Sequence, residues 1–393
     1  VENILMSTQE NSGLINNVSV LIDARKIHHG GIGVYLKNLL CGLVSFENLK
    51  IGALVFEEDL SYVMSLGEIN CIVIKTKLYS YDELFNLKKY VDFNQFDLFH
   101  TPHFILPYGI PIPTIVTIHD TIHLTHPQKW YYPLLIKPVI KSALKRATQV
   151  LTVSEASKRA LNSLVKKANV KVIPNSVDPI FLLSDMVEDS QESIERENYC
   201  LAVFSNTKFH KKYDDLISAF KTLKSSDFLK DKSEIFVKKV ESLKLVLVGQ
   251  GLKETKSDNL PDFVEIKGAV SSKELKNLYQ RAQCLVVSSI AEGFCLPVIE
   301  AQSCGTPVIC RPVAAILELM TTNDLVAKDF SLVEFTKAIS DFISRRTEKI
   351  ENIDYGVPLA HMQRFDRKII SYQLSNLYCN LVNLNRLKLK TLT

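Results

Sequence analysis

An α/β fold built from two similar halves, each a parallel sheet with helices on both faces, is what this chain predicts. Three observations lead there: short apolar runs alternate with helix-length amphipathic segments, the alternation restarts after a polar break, and the length exceeds one ordinary core. At 393 residues, domains of about 150 to 200 residues make two the expected count.

The first half begins with the apolar run 18–23, a glycine-rich loop, and apolar residues at helical spacing (Leu36, Leu39, Leu40, Leu43). Further β-like runs lie at 50–56, 71–74, 97–100, 114–119 and 149–153, with helical patterns at 133–147 and 155–165 beside the last. Residues 184–198 are polar, acidic and without periodicity, which marks a linker. Strands then recur at 199–204, 243–248, 263–266, 284–287 and 306–310, separated by helices at 213–223, 272–282 and from Leu296. Strands alternating with helices in this way form parallel sheets. The lysine-rich stretch 221–244 reads as a solvated, charged surface elaboration. The first domain is placed at 18–182 and the second at 199–360.

Composition narrows the function. Hydrophobic residues make up 46% and charged residues 23%, the profile of a soluble globular protein. A formal net charge of +4 is too small to argue for nucleic acid, which calls for a concentrated basic face. Eight scattered cysteines without C-x-x-C spacing read as reduced thiols of a cytoplasmic protein. No uninterrupted apolar stretch of about 18 residues is present, so any membrane contact is expected to be peripheral, from the inner face.

Four segments carry candidate chemistry. Ala291-Glu-Gly-Phe-Cys-Leu-Pro-Val-Ile-Glu300 follows an apolar strand and opens a helix, with Pro297 suited to its first turn. Main-chain N–H groups at Gly293, Phe294, Cys295 and Leu296 would face an anion there. Glu292 and Glu300 add acceptor oxygens suited to sugar or ribose hydroxyls, so the pair suggests a nucleotide sugar.

This segment resembles the E-x7-E signature of glycosyltransferase family 4, and Gly305-Thr-Pro-Val308 matches the family's following G-x-P-V. Upstream, residues 204–220 are similar to the family's G-N-x-K-x-H-K-N-L and L-I-x-A-F, the variant frequent in mannosyltransferase-like members, with Lys211 on the motif's lysine. Asn206 and Lys208 stand near the place of the arginine of many relatives, and Lys212 stands where asparagine is usual. His119-Asp120, at the end of an apolar strand, aligns with the family's H-D, while His100 and His103 match its F-H-x-P element. His29-Gly-Gly-Ile-Gly33, after Asp23 and Arg25, is similar to its D-x-R and G-I-G segment, which puts Gly31 and Gly33 near the donor. Cys295 replaces a common glycine, and Ile316-Leu317-Glu318 departs from the usual P-E.

The resemblance spans about residues 18–380. It implies two Rossmann-like domains facing a cleft, the GT-B architecture, with 361–393 a helical segment returning to the first domain. It also implies retaining transfer of a sugar from a nucleotide diphosphate donor to a glycan or glycolipid, with no cofactor and no metal. Family usage leans toward cell-surface polysaccharide or lipopolysaccharide assembly. His119, Lys211 and Glu292 are the catalytic candidates. Asn206, Lys208, Gly31, Gly33, the 293–296 backbone and Glu300, on the ribose, would bind the donor. Two rivals remain: a non-catalytic nucleotide or sugar sensor of the same fold, and a nucleotide-sugar 2-epimerase.

Overall fold

The computed structural model describes residues 17–166, 168–182, 195–205, 208–249, 252, 260–347 and 359–391. Among these residues, strands β1 (Val18–Asp23), β2 (Leu49–Val55), β3 (Ile69–Val73), β4 (Leu98–Thr101), β5 (Thr114–Thr117), β6 (Gln149–Thr152) and β7 (Val170–Val172) form one sheet. Strands β8 (Tyr199–Val203), β9 (Lys244–Val248), β10 (Val264–Gly268), β11 (Cys284–Val287), β12 (Val308–Cys310) and β13 (Leu325–Val326) form the other.

Spatial order explains where a ligand would sit. The sheets run β3-β2-β1-β4-β5-β6-β7 and β10-β9-β8-β11-β12-β13, so each contains the 3-2-1-4-5-6 order of the doubly wound nucleotide-binding fold. Strand order reverses between β1 and β4 and between β8 and β11, both parallel pairs. Ligands of such sheets bind beyond the carboxyl ends of the strands at the reversal. Val20, Leu21 and Ile22 of β1 and Cys200, Leu201 and Ala202 of β8 are all fully buried, as expected of parallel strands covered on both faces.

Helix starts follow local chemistry. Ser154, Ser233 and Ser271 each accept a hydrogen bond from the main-chain N–H three residues on, capping the helices Glu155–Leu164, Glu234–Glu241 and Ser272–Arg281.

The lysine-rich stretch 221–244 departs from expectation. Its helix Glu234–Glu241 buries Phe236 and Val240 in the core of the second sheet. The two apolar residues sit four apart, on one face, and the surrounding lysines mask them in composition. The helix Leu332–Thr347 delivers Phe335, Ile339, Phe342 and Ile343 to the same core. The glycines of 29–33 are not a loop before a helix but lie in the first turn of the helix Gly30–Leu43. Of the linker expected at 184–198, residues 184–194 lie outside the described residues.

By packing, the chain divides into two compact units. Among the described residues, one comprises those within 17–117, 142–150 and 371–391; the other comprises those within 118–141 and 151–370. These interleave along the sequence and so differ from the ranges 18–182 and 199–360. In the first unit the last helix is held by Arg386, which donates to Asp97 at 2.7 Å, and by the Tyr378 hydroxyl, 2.6 Å from His100 Nδ1.

Candidate active site

Two loops leave the carboxyl ends of β8 and β11 side by side. The loop after β8 ends in the short 3-10 turn Phe209–Lys211, preceded by Lys208 at its N-cap, and runs into the helix Tyr213–Leu223. That after β11 runs into the helix Leu296–Ser303. They are tied together: Ile290 N donates to His210 O at 2.8 Å and Ser288 Oγ to Lys211 O at 2.7 Å. Held this way, Lys211 Nζ donates to Glu292 Oε1 at 2.6 Å, with side-chain exposures of 14% and 9%. Burial opposes the ammonium charge, but Glu292, joined by Cys295 and Asp120, outweighs it, and the lysine pKa is raised. His210, beside it, is pushed down to about 4 by burial and by the Lys211 cation. It is therefore neutral near pH 7.

A deeper cation supports these loops. Arg311, fully buried just after β12, donates to Ser288 O at 2.8 Å and to Asp215 Oδ2 at 2.7 Å, and lies over the Phe335 ring, 4.8 Å from its centroid. Arg311 carries no motif in the sequence, so only its contacts reveal it.

Backbone conformation explains two departures from the family pattern. Cys295, the N-cap of the Leu296–Ser303 helix, has φ 85° and ψ 74°, left-handed values that glycine adopts without a Cβ penalty. Lys212 has φ 52° and ψ 44°, a conformation that asparagine tolerates better than lysine. The common glycine and asparagine are thus the residues these turns favour. The Cys295 thiol is pushed well up by burial, so it is no ready thiolate.

Gly293 is fixed by contact. A Cβ there would lie 2.5 Å from His119 O and 2.8 Å from Asp120 Cβ. Ser154 Oγ donates to Gly293 O at 2.8 Å, and Ser157 Oγ donates to His119 O at 3.1 Å. The His119-Asp120 and Glu292-Gly293 segments are thereby brought together. Asp120 accepts from Ile122 N at 2.8 Å, and its pKa is raised by burial against the pull of that hydrogen bond, with Glu292 adding to the rise. Phe294 is buried with its ring 5.9 Å from that of Phe365, edge to face, and Leu296 is buried at the start of its helix.

Glu300 lies one turn into that helix, buried, and accepts from the Tyr279 hydroxyl at 2.9 Å. Burial pushes its pKa up to about 7. Tyr279 is a partner that sequence spacing did not disclose. Glu318, in the segment that lacks the usual P-E, accepts from Glu155 N at 2.8 Å and Ala156 N at 2.7 Å, where a carboxylate complements a helix N-terminus. Asn206 lies outside the described residues.

The first unit has its own charged cluster at its strand-order reversal. Gly31 is exposed and Gly33 buried, where a Cβ would clash with Ile27 O. Arg25 Nη2 donates to Asp23 Oδ2 and to Glu83 Oε1, each at 2.6 Å, and His103 Nε2 is 3.3 Å from Asp23 Oδ2. Asp23, Glu83 and His103 could by spacing ligate a cation. The Arg25 guanidinium already donates to both carboxylates and offsets one of their two charges. Arg25 holds the Asp23 carboxyl well below its usual range against the opposing effect of burial.

A paired lysine and glutamate thus stand before the helix Leu296–Ser303, at the strand-order reversal of the second, doubly wound sheet. Comparison with known proteins identifies the family. Residues 29–181 match the model described as Glycosyltransferase Family 4, and residues 186–356 match that of Glycosyl transferases group 1. Over 292 residues the chain is 28% identical to the O-antigen chain mannosyltransferase RfbU of Salmonella typhimurium, covering 70% of this chain and 75% of that protein. It is 26% identical to the O-antigen chain mannosyltransferase B of Escherichia coli, over 61% of this chain and 62% of that one. The crystal structure of Anabaena HepE in complex with UDP-glucose superposes with a TM-score of 0.67 at 17% identity, covering 92% of this chain and 100% of that one. This chain belongs to the family 4 glycosyltransferases and has their GT-B fold.

Proposed function

We propose that the enzyme moves a sugar, with retention of anomeric configuration and without a divalent cation, from a nucleotide diphosphate sugar to a glycan or glycolipid. Cell-surface polysaccharide assembly of the O-antigen kind is the setting supported by the two mannosyltransferase relatives. The compartment is the cytoplasm, supported by eight scattered thiols.

The observation that carries this reading is the Lys211–Glu292 pair, 2.6 Å apart beyond β8 and β11. Negative charge accumulates on the departing diphosphate as the glycosidic bond breaks, so a positioned ammonium stabilises the transition state more than the ground state. Lys211 and Lys208 take the diphosphate together with the main chain of 293–296. Glu292 accepts from the donor sugar's hydroxyls, Glu300 from the ribose, and His119 hydrogen-bonds the sugar and the departing oxygen. Asn206, Gly31 and Gly33 are further donor-binding candidates.

Thermal-shift screening of nucleotide sugars identifies the donor, because selective binding raises stability by mass action. Transfer by the best donor, assayed with a chelator and with the product's anomeric configuration read by NMR, tests the chemistry. An altered nucleotide sugar formed without acceptor would instead mark an epimerase, and binding without turnover a sensor.

A further inference from the structure

Arg311 joins two segments from one fully buried point. Its Nη1 donates to Ser288 O at 2.8 Å, on the loop after β11, and its Nη2 to Asp215 Oδ2 at 2.7 Å, in the first turn of the helix Tyr213–Leu223. Its Nε finds no partner. A cation buried with one donor unpaired adds little to stability, and an apolar side chain of similar volume often does as well or better. What the planar, two-armed guanidinium supplies instead is a fixed distance between the segments that it joins.

Both segments hold Lys211. Ser288 Oγ donates to Lys211 O at 2.7 Å, so the Arg311–Ser288 contact fixes the lysine's own main chain. Asp215 lies four residues further on, so its ion pair with Arg311 fixes the chain just beyond. Between the two stands Lys212 with φ 52°, a left-handed conformation that is costly without glycine and persists only where its surroundings impose it. Relaxation of that turn would re-aim Lys211 Nζ away from Glu292. We propose that Arg311 is a positioning residue for sugar transfer: it sets the direction of the Lys211 ammonium by bracketing the Lys212 turn, without touching the donor itself. The proposal rests on the reading of Lys211 as the cation that meets the departing diphosphate, and names the group that holds it in place.

Arg311→Met keeps much of the side-chain volume and removes both contacts. The readout is cleavage by water of UDP- and GDP-linked hexoses, which breaks the same glycosidic bond to give free sugar and nucleoside diphosphate and needs no acceptor. Arg311→Met is expected to melt as high as the parent yet to cleave about 10- to 100-fold more slowly at saturating donor. In a Lys211→Ala background the same substitution should add nothing, because no ammonium is left to aim. Ser288→Ala, which removes a hydroxyl and no charge, should show the same pattern on a smaller scale, and it carries the test if Arg311→Met does not fold. Inorganic pyrophosphate gives a readout apart from turnover. Arg311→Met and Lys211→Ala should each weaken its binding in calorimetry, and the double variant no more than Lys211→Ala. Full additivity in either readout, or parent-like cleavage by Arg311→Met, would overturn the proposal. Parent-like cleavage and pyrophosphate binding in Lys211→Ala alone would sink the reading of Lys211, and the proposal with it, before Arg311 is changed.

Discussion

Lys211 Nζ stands 2.6 Å from Glu292 Oε1 because Ser288 and Ile290 tie the loop after β11 to the main chain of Lys211 and His210. The pair presents one cation and one anion from two loops. Their separation is set by hydrogen bonds between those loops.

Lys211→Ala should lower kcat/KM for transfer by about 100- to 1,000-fold, the usual consequence of deleting one charge-stabilising donor. Glu292→Gln tests the other partner. A double-mutant cycle on donor affinity should show coupling between them. Parent-like turnover in Lys211→Ala would remove the amine from the mechanism.

Glu300 links the site to pH. Its folded pKa of about 7 lies above the unfolded carboxylate value, so between roughly pH 4.5 and 7 the native state binds more protons than the unfolded state. Stability from this group is therefore greatest below that window and falls as pH rises through it, by about 2 to 4 kcal/mol in all. Glu300→Gln should flatten this dependence and melt higher than the parent at pH 8. Tyr279→Phe, which removes a hydrogen bond that lowers the Glu300 pKa, should move the inflection to higher pH. Parallel melting curves against pH for parent and Glu300→Gln would refute the assignment.

Gly293→Ala should abolish transfer while leaving a folded protein. Its methyl would meet His119 O at 2.5 Å, and such overpacking costs about 1 to 3 kcal/mol. Circular dichroism and turnover, measured together, separate a displaced loop from an unfolded chain. Unimpaired turnover would show that the His119-Asp120 and Glu292-Gly293 segments need not meet.

Cys295→Gly is expected to stabilise. Releasing a left-handed non-glycine residue regains about 1 to 2 kcal/mol, against about 0.5 to 1 kcal/mol of added unfolded-state entropy. Denaturant unfolding should show a modest net gain, with donor binding retained. A loss would mean that the half-buried cysteine's packing outweighs the backbone strain.

Much of this was legible in the residues themselves. Apolar runs such as 18–23 and 199–203 announce parallel strands because burial on both faces leaves no room for alternation. The 291–300 motif announces its loop-to-helix turn because proline fixes φ at a helix start and glycine admits conformations that other residues avoid. Helix 234–241 escaped, since two buried side chains among lysines leave a faint periodic trace.

Short-range preferences are written in single residues and their near neighbours, so the chain alone determined its strand and helix alternation and its motif residues. Packing across many intervening residues decided the rest. It set Arg311 under Ser288, Tyr279 on Glu300, and Arg25 between Asp23 and Glu83. Those outcomes depend on desolvation and on distances between distant segments, quantities that exist only once the backbone has closed on itself.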